Sequence, residues 1–107
     1  MIGGNVKATL QQNKGQDKNK LGEGIQRWSD YYQFSAGWLD LSTGTSKYTY
    51  DAKLQDSTHV FITDYAAIDR KADDKRLVVN GVVYDVLLID DPMELHQQLE
   101  IYLRFVG

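Results

Sequence analysis

Leu77-Val78-Val79-Asn80-Gly81-Val82-Val83-Tyr84-Asp85-Val86-Leu87-Leu88-Ile89 decides how this chain folds. Two runs rich in β-branched residues flank Asn80-Gly81. Both central residues of a type I′ turn need positive φ, which Asn and Gly tolerate best, so the stretch predicts a β-hairpin turning at Asn80 and Gly81. A hairpin alone is marginal in water and needs further strands.

Those strands are sought on either side. Val6, Ala8 and Leu10 alternate with Lys7, Thr9 and Gln11, the period-2 pattern of a half-buried strand, placed from Val6 to Gln12. From Asn13 to Gly24 the chain is almost wholly polar and is expected to be a mobile loop. Residues 25–41 are rich in aromatics (Trp28, Tyr31, Tyr32, Phe34, Trp38), with Asp30 and Gly37 predicting a bulge or break, and hence two short strands or one bent one. After the polar stretch Ser42 to Ser57, Thr58 to Tyr65 reads as a strand with Val60 and Ile62 opposite His59, Phe61 and Thr63. The C-terminal segment fits both helical and strand spacing; one helical turn near Pro92 followed by a strand from about Leu99 satisfies both its Asp-Pro start and its alternation. The expected fold is therefore all-β, a single domain over residues 1–107, built as a small antiparallel barrel of SH3-like or sandwich-like shape. It has two long polar loops and at most one short helical turn.

Bulk properties narrow the function. With 42% hydrophobic and 25% charged residues over 107 positions, the chain has ordinary globular composition. No apolar run is long enough to span a bilayer, and the N-terminus lacks the pattern of a secretory signal. There are no cysteines, which excludes disulfides and thiolate chemistry. Twelve basic residues against fifteen acidic give −3, whereas proteins that grip duplex DNA usually show a positive excess.

The sequence offers no catalytic constellation. His59 and His96 can be combined on paper with serines and aspartates, but no serine sits in a G-x-S-x-G elbow, and both histidines read as polar surface residues. Asp90-Asp91 and Asp73-Asp74 are adjacent carboxylates that point to opposite sides of an extended chain, so neither forms a metal cage. Gly22-Glu23-Gly24 lacks the remainder of a phosphate loop. No catalytic residue, metal or other cofactor is expected. Seven tyrosines and two tryptophans exceed what so small a core needs, and aromatic residues are enriched at protein interfaces. Trp28, Tyr31, Tyr32 and Tyr65 are accordingly candidates for a subunit interface.

Taken in order, these features resemble the head–tail joining family of tailed bacteriophages, also called head-closure or stopper proteins. The resemblance runs from the strand Val6 to Gln12 through Gly22-Glu23, Trp28, Phe34-Ser35-Ala36-Gly37-Trp38 and Ser57-Thr58-His59-Val60-Phe61-Ile62-Thr63-Asp64-Tyr65. It continues through Arg76-Leu77-Val78-Val79-Asn80-Gly81-Val82-Val83-Tyr84-Asp85-Val86 to Ile89-Asp90-Asp91-Pro92 and Leu99-Glu100-Ile101-Tyr102-Leu103. It implies a structural virion protein, made in the host cytoplasm, that assembles as a homo-oligomeric ring. Such a ring has a portal-adaptor protein above and a tail-completion or tail protein below, and DNA passes through it without tight binding. It also implies that a long loop closes the channel. Here that loop is Ser42-Thr43-Gly44-Thr45-Ser46-Lys47-Tyr48-Thr49-Tyr50-Asp51 with Lys53, within Leu41 to Ser57. Two other readings stand beside it: a tail-terminator or tail-completion subunit, and a small nucleic-acid- or peptide-binding β-barrel module.

Overall fold

A computed structural model of the chain describes residues 4–18, 24–41 and 57–106. Among the described residues the regular structure is seven strands: β1 (Ala8–Lys18), β2 (Gly24–Phe34), β3 (Gly37–Leu41), β4 (His59–Asp64), β5 (Lys75–Val79), β6 (Val82–Asp90) and β7 (Gln98–Phe105). Among the described residues the only helical piece is a single 3-10 turn, Pro92–Glu94, so the C-terminal segment takes the turn-then-strand form expected for it.

All the ladders are antiparallel, and the strands lie side by side in the order β2-β1-β5-β6-β7-β4-β3. The sheet curls so that its inner face encloses one core, giving a sandwich-like shape. It is not closed into a barrel, because among the described residues no ladder joins the edge strands β2 and β3. The chain itself bridges that seam through Ser35 and Ala36, where Thr63 Oγ1 donates to the Ala36 carbonyl (2.7 Å) and the Val6 N–H donates to the Gly37 carbonyl (3.2 Å). Gly37 is required at this corner, since a Cβ there would lie 2.5 Å from the Phe61 ring. The break expected at Gly37 thus has a packing cause.

Alternation builds the core. Leu77 and Val79 of β5, and Leu99, Ile101 and Leu103 of β7, all face inward with Leu10, Phe34, Phe61, Tyr84, Val86 and Ile89. In β6 the inward positions change parity between Val86 and Ile89, because Leu87 is an extra residue opposite β7: Val86 pairs with Leu103 and Leu88 with Tyr102. The Asn80-Gly81 turn sits between β5 and β6 with φ of 52° and 80°, and Val79 pairs with Val82 across it. Two further register shifts lie between β1 and β2: one at Tyr31, between the pairs Leu10–Tyr32 and Gln11–Asp30 and next to the Asp30 that signalled it, and one between the pairs Asn13–Trp28 and Gln16–Gln26.

The polar stretch after Gln12 departs from expectation. Instead of a loop from Asn13 to Gly24, β1 continues to Lys18 and pairs with a β2 that begins at Gly24; residues 19–23 lie outside the described set. The reason is that a ladder needs only backbone donors and acceptors, which polar residues supply as well as apolar ones. Apolar patterning reports burial, and it is silent on strands that pair without burying a face.

Candidate docking surface

On the outer face, pairing aligns a polar row across five strands. Gln11 of β1 donates from Nε2 to Asp30 of β2 (2.9 Å) and accepts from Arg76 Nε of β5 (2.7 Å). Arg76 stands opposite Asp85 of β6, and Asp85 accepts from Arg104 of β7 (2.7 Å). The Arg76 guanidinium also lies 4.5 Å from the centre of the Trp28 ring. Beside this row is an open cleft of about 380 Å³ whose lining includes Trp28, Asp73, Lys75, Asp85, Leu87 and Arg104.

Lys75, next to Arg76, points the other way. Its side chain is fully buried, with Nζ 3.0 Å from Asp69 and 2.9 Å from Asp74. Burial is the largest single influence on the ammonium and opposes its charge, but the hydrogen bonds to Asp74 and Asp69 together outweigh it and raise the pKa. Those same bonds hold both carboxyls below the ordinary range, helped at Asp69 by the Lys71 backbone N–H and at Asp74 by Gln12. The Tyr31 ring lies 5.2 Å from Nζ, and its hydroxyl accepts from the Asp69 N–H (2.9 Å).

The four interface candidates therefore do not form one patch. Trp28 and Tyr31 sit on the neighbouring cations Arg76 and Lys75, on opposite sides of β5. Tyr32 packs on the core beside Phe34, 4.8 Å between ring centres, and Tyr65 packs on the core and against His96 at 4.6 Å. Arg76, Lys75, Asp85 and Arg104 were not singled out from sequence, although counting outward from the Asn80-Gly81 turn does pair Arg76 with Asp85.

A second cluster gathers around Asp91, whose side chain is fully buried. It accepts from the His96 N–H (3.0 Å), contacts the His96 ring at Nδ1 and lies 3.9 Å from Arg70. Arg70 donates to both oxygens of Glu94, each at 3.2 Å, which raises the guanidinium's pKa further. Asp91, Glu94 and His96 offer ligand-type atoms within 4.8 Å of one another, but the charge that meets these carboxylates is the Arg70 guanidinium. His96 is a surface histidine, its side chain 56% exposed, that also meets the buried Asp91 carboxylate. Ser57 Oγ donates to the backbone carbonyls of His59 and Leu103.

A third feature is an aromatic rim. The His59 ring lies 5.1 Å from Tyr84, which lies 5.9 Å from Phe105, while Leu41 pairs with His59. Leu41 (62%) and Phe105 (50%) are well exposed. The expected channel-closing residues, Ser42 to Asp51 and Lys53, begin just after this rim and lie outside the described residues.

Among the described residues, the features that stand out are a polar row, a buried-carboxylate cluster and an aromatic rim on one antiparallel sheet. The chain belongs to the phage head completion protein family, which it matches over residues 4–104. It is a structural component of a phage virion, acting where head and tail are joined. The fold recurs in the solution structure of protein SF1141 from Shigella flexneri 2a, at 19% identity and a TM-score of 0.66, covering 95% of this chain and 92% of that one. No curated protein matches the sequence. No helix among the described residues is long and apolar enough to cross a membrane.

Proposed function

We propose that this chain is one subunit of a ring that closes the DNA-filled capsid beneath the portal and its adaptor and offers a docking face to the tail. The observation that carries this reading is the match to head completion proteins over almost the whole chain, residues 4–104. Its electrostatics support it. The net charge is −3, and the outer-face cations Arg76 and Arg104 are engaged by Trp28, Gln11 and Asp85. A lumen lined this way does not hold phosphates, so the genome can leave quickly.

Complementation of a phage lacking the chain tests this. Without it, heads should fill, lose their DNA and fail to take tails, and particles supplied with it should show ring-shaped density at the head vertex. Full, stable heads bearing over-long tails would instead assign the chain to tail termination. A protein that shifts DNA at physiological salt would belong to the binding-module class.

A further inference from the structure

We propose that Asn80 is a self-deamidation site, at which the Gly81 backbone nitrogen attacks the Asn80 side-chain amide, and that the product weakens the β5–β6 hairpin. The site stands whether or not the chain works in a ring.

The reaction uses only the two turn residues and water. The Gly81 nitrogen gives up its proton and bonds to Asn80 Cγ. The bond from Cγ to Nδ2 breaks, and the amide nitrogen leaves as ammonia, carrying that proton. A five-membered cyclic imide remains, and water adds to one of its two carbonyls. Opening at the side-chain carbonyl restores the main chain and leaves aspartate. Opening at the main-chain carbonyl routes the backbone through Cβ and Cγ and leaves isoaspartate, longer by one methylene. No oxidant, metal or second protein is consumed.

The chain has four asparagines, Asn5, Asn13, Asn19 and Asn80, followed by Val6, Lys14, Lys20 and Gly81. A side chain on the following residue crowds the approach of its nitrogen to Cγ, and glycine alone leaves that approach open. The structure removes the remaining obstacles. Asn80 and Gly81 are both exposed, and the ladder between β5 and β6 ends at the Val79–Val82 pair just behind them. A Cβ placed on Gly81 would meet no atom within 4 Å, so nothing crowds the ring as it forms. Cyclisation requires the Asn80–Gly81 peptide to rotate out of its turn conformation. Such local opening is cheap at a tip that buries no side chain, and it leaves the core behind Val79 closed.

The damage falls on the most informative turn of the molecule. Isoaspartate adds a backbone atom to a turn whose two residues set Val79 against Val82, so the type I′ geometry is lost. Leu77, Val79, Tyr84 and Val86, all buried on these two strands, then lose the connection that fixes their register. Either product also adds a carboxylate to a chain whose net charge is already −3.

Peptide mapping by mass spectrometry tests the site. The purified full chain, held at mildly alkaline pH to favour the deprotonated Gly81 nitrogen, should gain the mass of –NH2 replaced by –OH first in the peptide carrying Asn80. That peptide should contain both aspartate and isoaspartate, while Asn5, Asn13 and Asn19 stay intact. The same chain in denaturant gives the rate of the open sequence, and the folded chain should come within about tenfold of it, because the tip opens without global unfolding. The isoaspartate form, separated by ion exchange, should melt about 4 °C or more below the fresh protein. Asn80→Gly keeps a residue suited to the turn and removes the amide, so its midpoint should not drift on incubation. A folded chain that keeps Asn80 intact while the denatured chain deamidates there would show that the turn protects the residue and would overturn the proposal. Mass gained first at another asparagine of the folded chain would overturn it too. An isoaspartate form that melts with the parent would refute the weakening of the hairpin.

Discussion

The molecule contains two antiparallel strand pairs built on opposite principles. β5 and β6 are joined by a tight Asn80-Gly81 turn, and their inward residues Leu77, Val79, Tyr84 and Val86 are all buried. β1 and β2 are each eleven residues long; Ala8 and Leu10 of β1 and Phe34 of β2 lie in the core with Tyr32 packed on it, and β5 pairs with β1 only from Thr9 to Gln12. The first pair is held by burial, and the second continues its ladder, as an arm, beyond the reach of β5. The first therefore sets the stability of the fold, and the second is free to be shaped by what it touches.

The largest expected effect breaks the first pair at its centre. Leu77 is fully buried in the core, so Leu77→Ala should cost about 2–5 kcal/mol, enough to unfold a domain of this size at moderate temperature. Denaturant melts measure it. The contrasting experiment replaces residues 16–26 with a two-residue Asn-Gly turn, which removes ladder beyond the reach of β5. That trimmed chain should melt within about 1 kcal/mol of the parent, because the loop becomes shorter and none of the described core residues lies in the segment removed. A large loss would show that the arm folds with the core, and the comparison would collapse.

Next in size is the turn. With Gly81 at φ of 80° and open space around it, Gly81→Val meets no clash but forces a β-branched residue into the left-handed region, at about 1–3 kcal/mol. A thermal midpoint unmoved by the substitution would mean that β5 and β6 keep their register without the turn.

What the sequence made legible follows the same division. The Asn80-Gly81 signal fixes not only a hairpin but its register, so Arg76 opposite Asp85 could be read by counting outward from the turn. The all-β class and the corner at Gly37 were equally readable, because both depend on short-range chemistry. The extension of β1 past Gln12 was not readable, since a polar run such as Lys14, Gln16 and Asp17 has no apolar alternation to mark it as a strand. Nor was the role of Asp91, which reads as a turn initiator before Pro92. It is buried because Arg70 and His96 converge on it from other parts of the chain, and such convergence is a tertiary fact. Lys75 is similar: its place as an inward lysine makes sense only once Asp69 and Asp74 are seen on its ammonium.

That lysine gives a smaller, pH-dependent prediction. The Asp69 and Asp74 carboxyls are lowered by Lys75, so their contribution is present above the ordinary carboxylate range and is lost as pH falls through their depressed values. Lys75 is raised, so its contribution is complete below the ordinary lysine value and is lost only in strong alkali. At neutral pH both are in place. Lys75→Met should cost about 1 kcal/mol there, because Asp69 and Asp74 return to water when their partner goes. It should also flatten the loss of stability that the parent shows below about pH 4. An acid limb of unchanged steepness would place the acid sensitivity elsewhere.

The smallest effect sits where the two regions meet. Trp28 is paired with Asn13, the last β1 residue bonded to the segment before β5, and its ring lies over the Arg76 guanidinium of the body. If the arm is held to the sheet by this contact as well as by its ladder, Trp28 and Arg76 are energetically coupled. A double-mutant cycle with Trp28→Ala and Arg76→Ala should then give about 0.5–1 kcal/mol, the range for a cation over an aromatic face at a partly solvated site. Arg76→Ala alone should lose more than the coupling, because Gln11 loses a hydrogen-bond donor and Asp85 the cation across the strand pair. Arg76→Lys separates the two causes: a lysine keeps the charge opposite Asp85 but not the planar stack on Trp28. A coupling near zero, with Arg76→Lys neutral, would mean that the arm is tethered by backbone alone. The boundary between the two regions would then move back to Gln12, where β5 lets go of β1.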